Sequence, residues 1–464
     1  GSRFKVRIAP AAVDGLAGPL PLAEGRWQLH LDAAGERAPL MLAPSLIARL
    51  PLRATVDHKP FRLGVTEDDG AALLVGRDLD DDERGQYHQR RLLERSYQAR
   101  RAEPLRDAVV FTSFRGRQYS DSPRAIHEEL AARGGALEHF WVVRDQACRV
   151  PATANAVRDG SREHYELMAR ARYVVANDHF PEWFARRDDQ VCVQTWHGTP
   201  LKRLGLDMAE MRRATQRYRR RWSRQVANWQ YVLSPNRFST PVLRRSYAIE
   251  GELLELGYPR TDALARPDRE ARSQALRRRL GIPDGKRVVL YAPTYRDQAV
   301  DRRGRHRLDL QLDVERLRGA LGDDTVLLLR KHHRIIDPVH APLDDAVRDV
   351  SAFPDGTELL LAADVLITDY SSLMVDFAST GRPLLLFTYD LEAYGSQIRG
   401  LNIDLAEIAP GPLLRTTDEL ADALRDLEGV RADYARRYES FVARFCELDD
   451  GHATARVVDR IFGP

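Results

Sequence analysis

Residues 364–387 read DVLITDYSSLMVDFASTGRPLLLF. One short apolar run lies on each side of a segment whose apolar residues have the spacing of a helix. The apolar runs have the length of strands that are buried on both faces of a sheet. A strand, a helix and a second strand in this order form the unit from which parallel sheets are built. The stretch therefore predicts an α/β fold with a parallel sheet.

The same texture extends through the chain from residue 108 onward. One group of apolar runs precedes residue 258, and a second group follows residue 286. Between them, residues 263–286 form a charged helical stretch with Pro267, which is typical of a domain boundary. We therefore predict two doubly wound, Rossmann-like domains that face one another. The predicted strands are AVVFTSF, HFWVV, YVVAND, VCVQTWH, YVLSP and ELLELG, followed by RVVLYAPTY, TVLLLRKH, DVLITD and PLLLF.

The first hundred residues alternate apolar and polar side chains in the manner of exposed strands, and clusters of Gly, Pro and Asp separate the runs. This pattern predicts a small antiparallel β domain, which we interpret as a packing or partner module without catalysis. Residues 78–104 then indicate a charged linker with a short helix. The predicted strands are FKVRIAP, GRWQLHLDA, PLRATVDH, KPFRLGVTE and AALLVG.

Composition excludes several classes of protein. The 71 Lys and Arg residues nearly balance the 68 Asp and Glu residues, so a general nucleic-acid binder is not expected. Three scattered cysteines indicate a reducing compartment and no zinc site. No signal peptide or membrane-spanning run is recognisable, which predicts a cytosolic protein. The initial Gly1-Ser2 resembles a cloning remnant, so we expect the natural chain to begin further upstream.

Chemically active side chains follow several of the predicted strands. In open α/β sheets, ligands bind at the carboxyl ends of the strands, where loops and helix N-termini meet. These side chains are therefore expected to lie close together and to form a site. They are His197, Arg260, Thr294, Tyr295, Arg330, Lys331, His332, Asp369, Ser371 and Ser372.

Two features of this set favour a phosphate ligand. Ser371 and Ser372 precede a helical segment, whose N-terminal N–H groups and dipole would attract an anion. The alternative is that one serine only caps the helix. Arg330 and Lys331 end the preceding strand, and cations beside an anion site suit a diphosphate. No P-loop and no GxGxxG motif are present.

Metal coordination is a further possibility at this end of the sheet. Asp369 and Asp376 carry carboxylates that would suit a metal ion, but Asp376 falls inside the predicted helix. We therefore assign no metal ligand.

His197 is the candidate general base. A neutral imidazole can take a proton from an attacking hydroxyl, and the adjacent Gly198 lets a substrate approach the backbone. The alternative is a structural histidine that is hydrogen-bonded beneath the turn. The position at a strand end, with Lys202 and Arg203 nearby, favours the base. His332 follows Arg330 and Lys331, and we expect it to donate to phosphate rather than to accept a proton.

The arginine-rich stretch 211–231 raises the question of a membrane. Together with Tyr218, Trp222 and Trp229, its arginines would suit an anionic lipid surface. The alternative is a solvated basic helix whose aromatic side chains pack inward. The same stretch would also suit a polyanionic product.

The motifs WHGTPLKRLG, SPNRFSTPVL, GYPRTD, YAPTYRD, LLRKHH and TDYSSLMVDFASTGRPLLLF resemble, in this order, those of the CDP-glycerol glycerophosphotransferases of teichoic-acid synthesis. FRGRQYSDSPRAIHEEL resembles the start of that family's catalytic region. The resemblance runs from about residue 108 to the C-terminus. It implies a GT-B arrangement, which we place as an acceptor domain at 104–265 and a donor domain at 266–440, followed by a C-terminal helix at 441–464. The accessory β domain and linker at 1–100, predicted from the strand pattern, lie outside the resemblance.

The resemblance also implies roles for individual residues. His197 would be the base, while His332 and Arg330 would bind the diphosphate, with His332 counted among the catalytic residues. The remaining donor-binding residues would be Gly198, Thr199, Arg260, Thr294, Tyr295, Ser371, Ser372 and Asp376. The sequence differs from the family pattern at Lys331 and His333, and His333 could be mistaken for the functional histidine.

The implied reaction transfers glycerol phosphate, or a related polyol phosphate, from a CDP-linked donor to a hydroxyl of a wall or capsule polymer, with release of CMP. No cofactor is expected, and the need for a divalent metal stays open. The implied partners are the donor, a polyol-phosphate polymer or polyprenyl-linked acceptor, and an anionic membrane surface, with no nucleic acid. We expect the protein at the inner face of the cell membrane. A nucleotide-sugar glycosyltransferase and a non-catalytic polymer-binding subunit remain as alternatives.

Overall fold

The computed structural model describes residues 9–463 except 11, 14–20, 34, 35, 57, 67–69, 209, 210, 212, 213, 297, 300–309, 333, 334, 336–338 and 340–342. The chain divides into two compact units. Unit one comprises residues 1–119, 135–175 and 186–191, and unit two comprises residues 120–134, 176–185 and 192–464. The domain boundaries expected from the sequence stay a prediction.

Unit one begins with an antiparallel sheet in the strand order β1–β6–β5–β4, beside a β2–β3 hairpin. Phe61 and Val75 face each other across β5 and β6 and are both buried. The alternating pattern thus correctly predicted strands here, although most of FKVRIAP lies outside the described residues. The bounds are β1 Gly25–Gln28, β2 His30–Ala33, β3 Glu36–Pro39, α1 Pro44–Ile47, β4 Leu52–Val56, β5 Lys59–Val65 and β6 Ala71–Val75.

The charged linker expected at 78–104 is a packed helical segment. Helix α2 (Gly85–Leu92) continues through 93–98 and 99–102 in π and 3-10 geometry. Leu92 and Tyr97 are buried, so this segment belongs to the core of unit one.

The parallel strands of unit one have the order β10–β7–β8–β9. Val109, Val110 and Phe111 of β7 are fully buried, as expected for a strand covered on both faces. The bounds are β7 Arg106–Thr112, β8 Glu138–Val143, β9 Asn155–Arg158, α4 Arg162–Arg170 and β10 Ala171–Ala176. The helix between β7 and β8, α3 (Asp121–Arg133), belongs to unit two.

Unit two contains parallel strands in the order β13–β12–β11 and a six-stranded parallel sheet in the order β16–β15–β14–β17–β18–β19. Val289, Leu327 and Ile367 lie at the centre of the core on one face of the larger sheet. Strands alternate with helices in both units, so the α/β prediction is confirmed. The strands are β11 Val191–Gln194, β12 Tyr231–Ser234, β13 Glu252–Glu255, β14 Arg287–Tyr291, β15 Thr325–Leu329, β16 Val347–Asp349, β17 Val365–Thr368, β18 Leu384–Phe387 and β19 Leu413–Leu414.

The helices of unit two flank these strands. The expected C-terminal helix at 441–464 contains the end of one helix and all of another, with residues 446–452 between them. The helices are α5 Gln216–Val226, α6 Ser239–Tyr247, α7 Asp262–Ala265, α8 Arg269–Arg279, α9 Val314–Leu321, α10 Gly356–Ala362, α11 Leu373–Ala378, α12 Leu391–Ala393, α13 Leu405–Ile408, α14 Thr417–Arg425, α15 Leu427–Phe445 and α16 Ala453–Phe462. Among the described residues, no helix combines the length and apolar character that crossing a membrane requires.

Candidate active site

The turn after β11 sets the tautomer of the neutral His197 ring. Trp196 adopts a left-handed backbone conformation, with φ of 54°, and the next residue is His197. The Nδ1 atom of His197 lies 2.6 Å from the carbonyl oxygen of Asn177. Because a carbonyl oxygen only accepts hydrogen bonds, Nδ1 carries a proton, and in the neutral imidazole the lone pair therefore lies on Nε2. Nε2 is therefore the nitrogen that can take a proton from a substrate hydroxyl.

Aromatic side chains hold the plane of this imidazole. The Trp196 and His197 rings stack with their centroids 4.6 Å apart. Trp196 in turn contacts Tyr247 at 4.9 Å and Trp229 at 5.8 Å, and both of these side chains are buried. The His197 ring thus packs on a buried aromatic cluster, which restricts the orientation of the ring.

Gly198 brings this turn against the start of α11. A methyl group built at Gly198 would overlap Ser372 Oγ and lie 3.0 Å from Ser372 Cβ. Arg260 Nη2 is 3.9 Å from the same position. The absence of a side chain at Gly198 is therefore what lets the histidine turn and the Ser371-Ser372 pair meet.

Arg260 lies behind this contact in a buried ionic triad. Its Nη1 donates to Asp121 Oδ2 at 2.9 Å, and its Nη2 donates to both carboxylate oxygens of Asp376 at 2.8 and 3.1 Å. Burial alone would lower the pKa of Arg260, but the two carboxylates hold it above its usual value. Burial also raises the pKa of Asp376, against the effect of Arg260. Arg260 and Asp376 thus hold each other beneath the turn.

A second ionic group supports Thr294. The Asp369 carboxylate accepts the Thr294 N–H at 2.9 and 3.1 Å and Arg296 Nη1 at 2.7 Å. Arg296 also donates to Asp390 at 2.8 and 3.0 Å. Since Asp369 is saturated by these donors, its role in this structure is to fix the loop after β14.

The loop after β14 meets the end of β15 at Tyr295 and His332. Their ring centroids lie 4.6 Å apart. Lys202, from the loop that follows His197, lies with its Nζ 3.4 Å from Thr294 Oγ1. The structure thus brings the ends of β11, β14 and β15 together, as the strand-end pattern predicts.

Arg330 and Ser371 use part of their hydrogen-bonding capacity locally. Arg330 Nη1 donates to the Phe353 carbonyl at 2.8 Å, and burial lowers the pKa of this arginine. Ser371 Oγ accepts the Leu373 N–H at 3.3 Å, a weak local hydrogen bond at the start of α11, whose N-cap Ser372 makes no side-chain cap bond. Thr199 Oγ1 accepts from Asn236 at 3.4 Å and is buried. His333 lies outside the described residues.

The carboxylates considered as metal ligands are engaged elsewhere. Asp369 is paired with Arg296, and Asp376 is paired with Arg260. Within the described part of the chain, no group of three or more His, Cys, Asp or Glu side chains is arranged to hold a metal ion.

The sequence of residues 96–463 matches the family model described as CDP-glycerol:poly(glycerophosphate) glycerophosphotransferase. The chain belongs to this family. All of the strand-end residues described above fall within the matched range.

Named relatives of this glycerophosphotransferase family agree with the match. The chain is 36% identical to a teichoic acid poly(glycerol phosphate) polymerase of Bacillus subtilis, over 77% of this chain and 49% of that protein. It is 35% identical to a teichoic acid glycerol-phosphate transferase of Staphylococcus aureus, over 77% of this chain and 94% of that protein. The chain thus spans about half the length of the Bacillus relative.

A solved structure of the wall teichoic acid polymerase TagF, a histidine variant soaked with CDPG, has a similar fold. The TM-score is 0.73 at 34% identity, over 81% of this chain and 92% of that chain. At this identity the likeness supports the two-domain α/β architecture of the family.

Two residues that shape this candidate site, and the ion pairs of a third, were not predicted from the sequence. Asn177 lies near the end of the predicted strand YVVAND, and the strand-end pattern could have identified it. Asp121 stands in the YSDSP segment, but nothing in the sequence connects it to Arg260, 139 positions away. Arg296 stands with Thr294 and Tyr295 at the end of the predicted strand RVVLYAPTY, but its pairing with Asp369 and Asp390 depends on contacts that only the folded chain makes.

Proposed function

We propose that this protein transfers glycerol phosphate from CDP-glycerol to a hydroxyl of a cell-wall or capsule polymer and releases CMP. The observation that carries the proposal is the hydrogen bond from His197 Nδ1 to the Asn177 carbonyl, which in the neutral imidazole places the lone pair on Nε2. Family membership supplies the class of donor, and the printed names of the relatives support glycerol phosphate as the group transferred.

In the proposed reaction, His197 Nε2 takes the proton of the acceptor hydroxyl as its oxygen attacks the β-phosphorus of the donor. The new bond joins that oxygen to phosphorus, and the bond from phosphorus to the bridging oxygen breaks, so CMP leaves with the electron pair. Catalysis of this kind depends on positioning and on stabilisation of charge. His332 and Arg330 would stabilise the developing negative charge, together with the hydroxyls of Ser371 and Ser372.

The donor would lie against the loops that Asp369 and Arg260 support. Thr294 and Tyr295 would contact the nucleotide, while Gly198 and Thr199 would border the transferred group. Arg260 and Asp376, which the sequence suggested as direct donor ligands, are engaged with each other. We therefore assign them to the support of the Gly198–Ser372 contact.

The arginine-rich helix α5 presents a face that could bind an anionic surface. Trp222 stacks on Tyr247 at 5.3 Å and Trp229 is buried, so these two side chains pack inward. Tyr218 is 46% exposed and lies among exposed arginines, so the outer face of α5 is mainly cationic. A cationic face without inserted tryptophans suits electrostatic binding to anionic lipid at the inner face of the membrane, or to a polyanionic polymer.

The test is release of CMP from CDP-glycerol in the presence of a glycerol-phosphate acceptor. The parent protein is expected to release CMP, and His197→Ala to lose at least about a hundredfold in kcat, the scale of general-base catalysis. His197→Asn is the sharper variant, since it keeps a polar side chain but removes the base. His452→Ala, which changes an exposed histidine, is the matched control.

Three outcomes would contradict the proposal. Release of UDP or GDP from a nucleotide sugar would indicate glycosyl transfer. Binding of polymer without turnover of any nucleotide donor would indicate a non-catalytic subunit. Full activity of His197→Ala would remove the base.

A further inference from the structure

Two loops of unit two are joined by a short antiparallel contact. Lys202, in the loop after His197, forms an isolated β-bridge with Leu401. The Arg203 N–H donates to the Gly400 carbonyl at 3.0 Å, and the Asn402 N–H donates to the Leu201 carbonyl at 2.8 Å. We name this contact between residues 200–203 and 399–402 the latch.

Asn402 and Gly400 fix the geometry of the latch. The Asn402 side-chain amide donates to the carbonyls of Pro200 and Lys202, both at 2.9 Å. Gly400 has φ of +83°, and a methyl group built there would lie 2.9 Å from Arg203 Cδ. The two segments therefore approach more closely than ordinary side chains would permit, and they are fixed as one piece.

Lys202 and Arg399 of the latch place two cations beside the adjacent residues Thr294 and Tyr295. Lys202 Nζ lies 3.4 Å from Thr294 Oγ1, and Arg399 Nη1 lies 3.5 Å from Tyr295 Oη. Tyr295 is in ring contact with His332. Both cations are half-buried, whereas Thr294 and Tyr295 are buried behind them.

We propose that Lys202 and Arg399 bind a phosphate group in front of Thr294 and Tyr295, and that the latch holds the two cations at the spacing this requires. Arg399 Nε also donates to the Arg203 carbonyl at 3.3 Å, which fixes the guanidinium to the latch. Two cations held beside Thr294 and Tyr295 suit a phosphate group, whose oxygens accept charge-assisted hydrogen bonds from ammonium and guanidinium groups. Fixing two long side chains before the ligand arrives also reduces the entropy that binding must remove.

This inference rests on the proposed function, which offers two sources for the phosphate. One is the diphosphate of the CDP-linked donor, and the other is a phosphodiester of the acceptor polymer. Both present the same anionic oxygens to the cations, so the chemistry of the subsite is the same in either case.

The experiment uses the full chain with Lys202→Gln and Arg399→Gln, which remove charge at half-buried positions, and Arg431→Gln as a control on an exposed position of α15. The KM for CDP-glycerol, the KM for a synthetic glycerol-phosphate oligomer and the kcat are measured, together with the melting temperature. Each active-site variant is expected to raise one of the two KM values about tenfold, as loss of a charge-assisted hydrogen bond would. The control is expected to leave all of them unchanged.

The affected substrate identifies the source of the phosphate. A higher KM for CDP-glycerol alone assigns the subsite to the donor, and a higher KM for the oligomer alone assigns it to the acceptor. Asn402→Ala is expected to reproduce the KM effect with little change in kcat, because it loosens the latch without removing a charge. Both KM values within twofold of the parent in Lys202→Gln and Arg399→Gln would overturn the inference. A parent protein that releases no CMP would instead contradict the proposed function.

Discussion

At position 260 an arginine lies between two carboxylates, and each of the three groups would be unstable there alone. Bringing a charge out of water is expensive, and the attraction between Arg260 and its partners offsets that expense only while the set is intact. The stability of the fold around Arg260 is therefore sensitive to the loss of one charge of the triad, even though the intact triad adds little net stability.

Arg260→Leu is expected to destabilise the fold by about 3–5 kcal/mol, because it leaves Asp121 and Asp376 buried without a cation. Asp121→Asn is expected to be milder, at about 1–2 kcal/mol, since a neutral Arg260–Asp376 pair remains. Urea unfolding at pH 7.5 measures both free energies of unfolding. The deficit of Arg260→Leu should shrink at pH 5.5, because burial raises the pKa of Asp376 and this carboxylate can take up a proton there.

The matched control for these variants is Glu428→Ala, which breaks an exposed ion pair with Arg431. Its cost should stay below about 0.5 kcal/mol. Equal costs for Arg260→Leu and Asp121→Asn would show that the triad does not behave as a charge-balanced unit.

Asp449 gives unit two a pH-dependent stability. Burial raises its pKa to about 7, while Thr261 Oγ1 donates to its carboxylate at 2.7 Å. The folded chain thus keeps this proton to higher pH than the unfolded chain, so the contribution of Asp449 to stability falls as pH rises from about 4 to about 7. Asp449→Asn, which retains the acceptor oxygen, should remove this loss.

The difference in free energy of unfolding between Asp449→Asn and the parent should be near zero at pH 4 and reach about 2–4 kcal/mol in favour of the variant above pH 7. Denaturant titrations at several pH values measure it. A difference that is constant with pH would show that Asp449 is an ordinary ionised carboxylate.

Among the elements, the turn that holds His197 and Gly198 is in close contact with the start of α11. Gly198→Ala should lower kcat/KM by at least about tenfold, because the new methyl group overlaps Ser372 and pushes the turn away from the helix. Adding Ser372→Gly removes both clashing atoms and should restore part of the melting temperature lost by Gly198→Ala, while the backbone strain of alanine at φ of 159° remains.

Kinetics and melting curves of the two single variants and the double variant test this prediction. Ser372→Gly alone serves as the control for loss of the hydroxyl. If the double variant melts no higher than Gly198→Ala, the effect of Gly198→Ala does not arise from Ser372.

The sequence predicts the central strands of the parallel sheets well but misses three edge strands, although the edge strand β13 was predicted as ELLELG. RVVLYAPTY, TVLLLRKH and DVLITD correspond to β14, β15 and β17, which are buried on both faces and therefore have continuous apolar runs. Strands β9, β16 and β19 were not predicted. NAVR and VRD in β9 and β16 mix polar and apolar residues, and β19 has only two residues, because an edge strand needs less apolar surface.

The same distinction applies to the candidate site. Residues at strand ends were predictable because a general rule says where ligands bind in parallel sheets. The partners that orient them were not, since Asn177 and Asp121 reach His197 and Arg260 through contacts made only in the folded chain. The latch joins segments about 200 positions apart in the sequence, so no local sequence pattern predicts it.

For the molecule as a whole, the net charge of +3 is too small to attract anionic partners from a distance, so local clusters must do so. Arg217→Gln, Arg220→Gln and Arg224→Gln combined remove three cations from the exposed face of α5. This variant should bind vesicles of phosphatidylglycerol several-fold more weakly than the parent at 0.1 M salt, and the difference should vanish at about 1 M salt, where screening is nearly complete.

Cosedimentation with phosphatidylglycerol and with phosphatidylcholine vesicles measures the binding. The matched control changes Arg431, Arg436 and Arg437 on α15 to Gln, which alters the net charge equally. If both triple variants lose vesicle binding equally, net charge and not α5 is responsible. If vesicle binding is unaffected but the KM for the acceptor oligomer rises, α5 binds the polymer instead of the membrane.

The hydrogen bond between His197 and Asn177 also makes the base observable without any substrate. A ring proton held 2.6 Å from heavy atom to heavy atom in a partly buried bond exchanges slowly with water and gives a magnetic resonance signal far from those of the backbone amides. The intensity of that one signal would report the fraction of molecules in a preparation that hold the imidazole in its working orientation.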